Sequence, residues 1–162
     1  MMTALALIFS YVETFIPINA LIPIPGVKLG LANIVVLVAL YTMKFGDALA
    51  IAVIRIFLSG LLFGNPMTIA YSFVGGMMSL FIMWFLKKTK LSVIGVSMVG
   101  GICHNIGQLL VAVVLTSTVR LAYYLPVLLI SGLITGLLMG IVAKIVIERL
   151  GRIMNNNNPA GY

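Results

Sequence analysis

Apolar and polar positions are segregated along this chain in long blocks rather than alternating every second or third residue. Apolar runs extend over roughly Thr3–Ile18, Leu29–Met43, Gly46–Phe63, Met67–Leu86, Leu91–Ser117 and Leu121–Ile147, and most charged residues fall between them. Runs approaching 20 apolar residues have the length of a bilayer-spanning helix. Backbone amides in lipid must be satisfied within their own segment, so each run is expected to be helical. The pattern therefore predicts an all-α integral membrane bundle of about six transmembrane helices in one domain, residues 1–150. The second run is short and follows Pro23-Ile24-Pro25-Gly26, which leaves five spans with a re-entrant segment as the alternative count. Residues 151–162, with Asn155-Asn156-Asn157-Asn158-Pro159, read as a low-complexity, disordered tail. The first run has no basic start and carries Glu13, unlike a removable signal peptide.

Composition agrees with this reading. The 162 residues are 62% hydrophobic and 8% charged, with a mean hydropathy of +1.24. A soluble domain could not cover its surface with so few charges. The net charge of +7 is for that reason no sign of nucleic-acid binding. It marks orientation instead. With six spans, Lys44, Lys87, Lys88, Lys90, Lys144, Arg149 and Arg152 share a side with both termini, against Lys28 and Arg120 opposite. By the positive-inside rule both termini are cytoplasmic. Gly132, Gly136 and Gly140, four residues apart, and Ala6 with Ser10 are small enough to let helices approach closely.

An ionisable group at membrane depth is costly and needs a reason. Counted along their runs, Glu13, Asn33, Arg55, His104 and Gln108 occupy one depth band in the middle and outer half, with Lys28 at its mouth. Gly101, His104 and Gln108 are spaced i, i+3, i+7 and share a helical face, with Asn105 beside it. Glycine leaves space there, and imidazole and amides supply donors and acceptors. That face suits a small polar ligand, or an interhelical hydrogen-bond cluster. Arg55 and Glu13 form either a buried ion pair or, with Lys28 and His104, a grip on an anionic or zwitterionic compound.

Several chemistries are missing. No phosphate-binding glycine loop is present, so the chain has no means of using ATP by itself. Its three carboxylates, Glu13, Asp47 and Glu148, lie too far apart in the predicted topology for a magnesium site or an acid/base dyad. One histidine and one cysteine, Cys103, make no zinc site and no internal disulfide. No cofactor, no metal and no catalytic residue is expected. Proton-coupled transport through Glu13 and His104 remains a separate reading.

Four segments carry a family resemblance over about residues 3–150. Ser10-Tyr11-Val12-Glu13, Pro25-Gly26-Val27-Lys28-Leu29-Gly30-Leu31-Ala32-Asn33, Arg55-Ile56-Phe57-Leu58-Ser59-Gly60-Leu61-Leu62-Phe63-Gly64 and Gly101-Ile102-Cys103-His104-Asn105-Ile106-Gly107-Gln108 occur in order. Together they resemble a bacterial membrane family described as Gx transporter or heptaprenyl diphosphate synthase component I. Its general pattern is similar to the substrate-binding S components of energy-coupling-factor (ECF) vitamin transporters. The resemblance implies capture of a small vitamin-like or precursor molecule, and a cytoplasmic-membrane location. It also implies a transmembrane T component and two cytoplasmic ATPases as partners, with small first-helix residues, here Ala6 and Ser10, docking the T component. The alternative is a non-catalytic membrane subunit or precursor carrier linked to heptaprenyl diphosphate or menaquinone synthesis. Prenyl elongation uses clustered aspartates, and this chain has only Asp47.

Overall fold

The computed structural model describes residues 1–15 and 30–156. The described residues form six α-helices: α1 (Met2–Thr14), α2 (Asn33–Thr42), α3 (Phe45–Phe63), α4 (Pro66–Lys87), α5 (Val93–Thr116) and α6 (Leu125–Asn156). A short 3₁₀ turn at Val119–Tyr124 leads into α6, and no strand occurs among the described residues. The all-α membrane bundle expected from the sequence is the observed architecture.

Local chemistry sets the helix starts. At α4, Asn65 Oδ1 accepts from the Thr68 amide (2.8 Å) and Pro66 opens the helix, where its missing N–H costs nothing. At α5, Ser92 Oγ accepts from the Gly95 amide (3.1 Å). At α3, the Asp47 carboxylate accepts from the Lys44 amide (3.3 Å). The α5 end is closed by Ser117 in the left-handed region (φ 51°). Helix α6 continues to Asn156, and residues 157–162 of the expected tail lie outside the described residues.

The stretches from Phe45 to Phe63, Pro66 to Lys87, Val93 to Thr116 and Val119 to Ile153 are long and apolar enough to cross a membrane. The first two helices are different. Helix α1 has 13 residues and α2 has 10, about 20 Å and 15 Å at 1.5 Å per residue. Both fall short of a hydrocarbon core of about 30 Å.

Helix α2 is nevertheless the most enclosed element. Ile34 through Leu40 are all buried in succession, a pattern of burial on every side. It contacts α1, α3, α4 and α6, while α5 packs between α4 and α6. The outward surface is the apolar one: Leu61, Leu62, Val114, Ile130, Ile134 and Leu138 are all more than half exposed. Arg55, Glu13, His104, Asn105 and Gln108 are buried. Such an apolar exterior is untenable in water and ordinary in lipid.

Glycine brings α5 and α6 together. A Cβ on Gly101 would lie 2.3 Å from the Gly132 carbonyl oxygen, and one on Gly136 would lie 2.7 Å from the backbone of Met98. At Gly140 it would reach 2.8 Å from Ile94 Cα. The glycine stripe of the last helix therefore packs within the bundle, where dispersion at close range replaces the hydrophobic drive absent in lipid.

Candidate functional site

The short length of α2 places its first residue among the buried polar groups. Gly30 begins the approach with φ +81°, a conformation that favours glycine. Its amide donates to the Glu13 carboxylate at the end of α1, joining chain segments 17 residues apart. The Gly30 carbonyl then accepts from the Asn33 amide (2.8 Å), which turns the chain into α2.

Asn33 is the hub of the next layer. Its Oδ1 accepts from Arg55 Nη2 on α3 (3.0 Å), and its Nδ2 lies 3.3 Å from His104 Nδ1 on α5. If the imidazole accepts at Nδ1, its proton sits on Nε2. Helices α2, α3 and α5 are thus tied by one polar chain. The Glu13 carboxylate also acts electrostatically on the Arg55 guanidinium. Glu13 and Arg55, expected either to pair or to grip a ligand, share one cluster, and the guanidinium donates to Asn33.

Close backbone contact brings α4 against this layer. A Cβ on Gly75 would lie 2.7 Å from the His104 carbonyl oxygen and 3.0 Å from Gln108 Cγ. One on Gly107 would lie 2.7 Å from Gly75 Cα. Gln108 is wholly buried there, at 0% exposure. Neither its amide nitrogen nor its amide oxygen has a hydrogen-bond partner among the described residues, and the same holds for Arg55 Nε. Each such buried group ordinarily costs about 1–3 kcal/mol.

Beside the cluster, a cavity of about 20 Å³ lies between α2, α4, α5 and α6. Its polar lining comes from Asn33, Ser79, Ser97, His104 and Thr135, and it has room for about one water molecule. Pockets for vitamin-sized ligands measure roughly 300–1,000 Å³. This cavity is far smaller than such a pocket.

A family model described as heptaprenyl diphosphate synthase component I matches residues 2–146. The chain belongs to the heptaprenyl diphosphate synthase component I family. No curated protein and no solved structure matches it.

In this component I chain, the structure gathers Glu13, Asn33, Arg55 and His104, with Gln108 one turn further along α5. Asn105 is placed apart: its Nδ2 donates to the Leu128 carbonyl on α6 (2.8 Å). Consecutive helical residues point about 100° apart, so His104 faces α2 and α4 while Asn105 faces α6. Lys28 lies outside the described residues. Ala6 (0% exposed) and Ser10 (3%) are buried in the bundle, so in this conformation neither faces an outside partner. The outward face of α1 carries Leu5, Ile8, Tyr11 and Val12 instead.

Sequence reasoning missed Gly30, Gly75 and the cavity hydroxyls. A signal existed on α4, where Ser72, Gly75, Gly76 and Ser79 are spaced i, i+3, i+4, i+7 and make one small-residue face. Among the described residues, no group of three His, Cys, Asp or Glu is placed to hold a metal.

Proposed function

We propose that this family member is a substrate-binding membrane subunit, of the S-component type, that takes up a small anionic or zwitterionic vitamin-like or precursor molecule. The observation that carries the reading is the set of buried polar atoms on Arg55 and Gln108 that have no hydrogen-bond partner among the described residues. A guanidinium N–H and an amide with both donor and acceptor fit a carboxylate beside an amide or hydroxyl. Asn33 and His104 complete the polar wall, Glu13 meets a cationic or hydroxyl group, and Lys28 guides anions toward the entrance. Asn105 holds α5 to α6 and supports the wall from behind.

Binding in this reading requires opening, because the present cavity holds about one water. The contact between Glu13 and the Gly30 amide joins the two short helices, whose ends bound the cluster, and its release would loosen them. Energy for uptake comes from partners, a transmembrane T component and two ATPases, since the chain has no phosphate-binding loop. The positive-inside distribution supports a cytoplasmic membrane with both termini inside.

One observation favours a second reading. The family description names a component of heptaprenyl diphosphate synthase, and the hydrogen bonds that tie α2, α3 and α5 through Asn33 are compatible with a purely structural role. The chain is then a non-catalytic membrane subunit whose partner carries the aspartates for chain elongation. Affinity purification in mild detergent separates the two. Recovery of a T component and ATPases supports uptake; a stable complex with a prenyl synthase and no ATPase refutes it.

A further inference from the structure

The basic end of the bundle carries a second feature, unconnected with the buried cluster. Lys87 closes α4, and its Nζ turns inward to donate to the Leu40 carbonyl near the end of α2 (2.6 Å), 5.2 Å from the Tyr41 ring centroid. Lys88 Nζ lies 3.9 Å from the Trp84 ring centroid. Half-buried Lys87 is thus tied to the end of α2, and Lys88, though exposed, lies over the Trp84 ring. Between them and the start of α3 is a pocket of about 170 Å³ lined by Leu40, Phe45, Trp84, Lys87 and Lys88.

Its floor is aromatic and apolar. The Phe45 ring lies 4.7 Å from Trp84 and 5.7 Å from Phe81, and Phe81 and Phe85 are exposed on the lipid-facing side. Neither lysine makes an ion pair among the described residues, and Asp47, the acid nearest in sequence to Phe45, is engaged at the start of α3. Each ammonium keeps donors beyond those used within the fold. A pocket with two cations at its rim, an aromatic floor and an apolar lipid-facing exit matches a negatively charged head on an apolar chain. We propose that this pocket binds the phosphate head of an anionic membrane lipid, with its chain lying along Phe81 and Phe85. Bound there, the lipid would bridge the ends of α2 and α4.

The test is native mass spectrometry of the full chain after exchange into equal mixtures of phosphatidylglycerol and phosphatidylcholine. Wild type should retain phosphatidylglycerol preferentially. K88Q, which leaves the Lys87–Leu40 contact in place, should reduce retention about fivefold and K87Q/K88Q roughly 25-fold, the scale expected for lysines at a membrane surface. R149Q/R152Q removes the same charge from α6 and should retain lipid as wild type does. Unchanged retention in K88Q and K87Q/K88Q overturns the proposal. So does equal loss in R149Q/R152Q, which indicates diffuse surface charge. Inorganic phosphate displacing phosphatidylglycerol at comparable concentration also overturns it, because the aromatic floor would then contribute nothing.

Discussion

Replacing Gln108 with methionine should not weaken the ligand-free bundle. Gln108 is wholly buried, and two of its side-chain atoms lack partners among the described residues. Methionine keeps the unbranched shape and nearly the volume while removing the polar atoms. If both orphaned atoms are desolvated in the fold, Q108M gains up to about 1–3 kcal/mol. That gain is smaller if the unfolded helix is equally dry in its micelle. At about 2–4 °C per kcal/mol for a chain of this size, the melting temperature stays level or rises by a few degrees. Cys103 is the chain's one cysteine and is half-buried on α5. Heating with a thiol-reactive dye therefore reports unfolding directly. A loss exceeding about 1 kcal/mol in Q108M would refute the reasoning, because it would mean that the amide is satisfied within the fold.

Other substitutions separate binding from architecture. N105L removes the 2.8 Å bond to the Leu128 carbonyl and should lower stability by about 0.5–1.5 kcal/mol, the opposite sign to Q108M in the same dye assay. N33A strips the Arg55 guanidinium of its 3.0 Å acceptor. It should cost about 1.5–3 kcal/mol, read as lost folded yield on size-exclusion chromatography, whereas N33D, which keeps an acceptor, should be tolerated better. G101A forces a Cβ to 2.3 Å from the Gly132 carbonyl oxygen and should separate α5 from α6, with a clear drop in melting temperature. G46A, where nothing lies within 4 Å, should be neutral or slightly stabilising. G30A must hold φ near +81° and should cost about 1–2 kcal/mol.

The four long spans were legible because hydropathy over 20 residues is a strong signal, and their caps at Asn65 and Ser92 are locally encoded. Helices α1 and α2, as described, are shorter than the apolar runs that announced them, and those runs extend into residues 16–29, outside the described ones. Apolarity reports that a segment avoids water and does not distinguish lipid from a protein interior, so buried Ile34–Leu40 resembled a span. The cluster was legible as a set, since each ionisable or amide group in an apolar run needs a reason. Its wiring was not. Glu13 meeting the Gly30 amide depends on a positive φ, and Arg55 reaching Asn33 depends on where a ten-residue helix begins. Adjacent residues on α5 divided between two neighbours, His104 toward α2 and Asn105 toward α6, as helical geometry requires once those neighbours are in place.

The central claim is that the groups on Arg55 and Gln108 that lack partners among the described residues take up a ligand. Native mass spectrometry of gently extracted wild type and Q108M tests it most directly. The account predicts a retained small molecule in the wild type that is absent from an equally well-folded Q108M. The same mass retained by both proteins would contradict it, as would a wild type free of any small molecule when extracted from cells grown in rich medium.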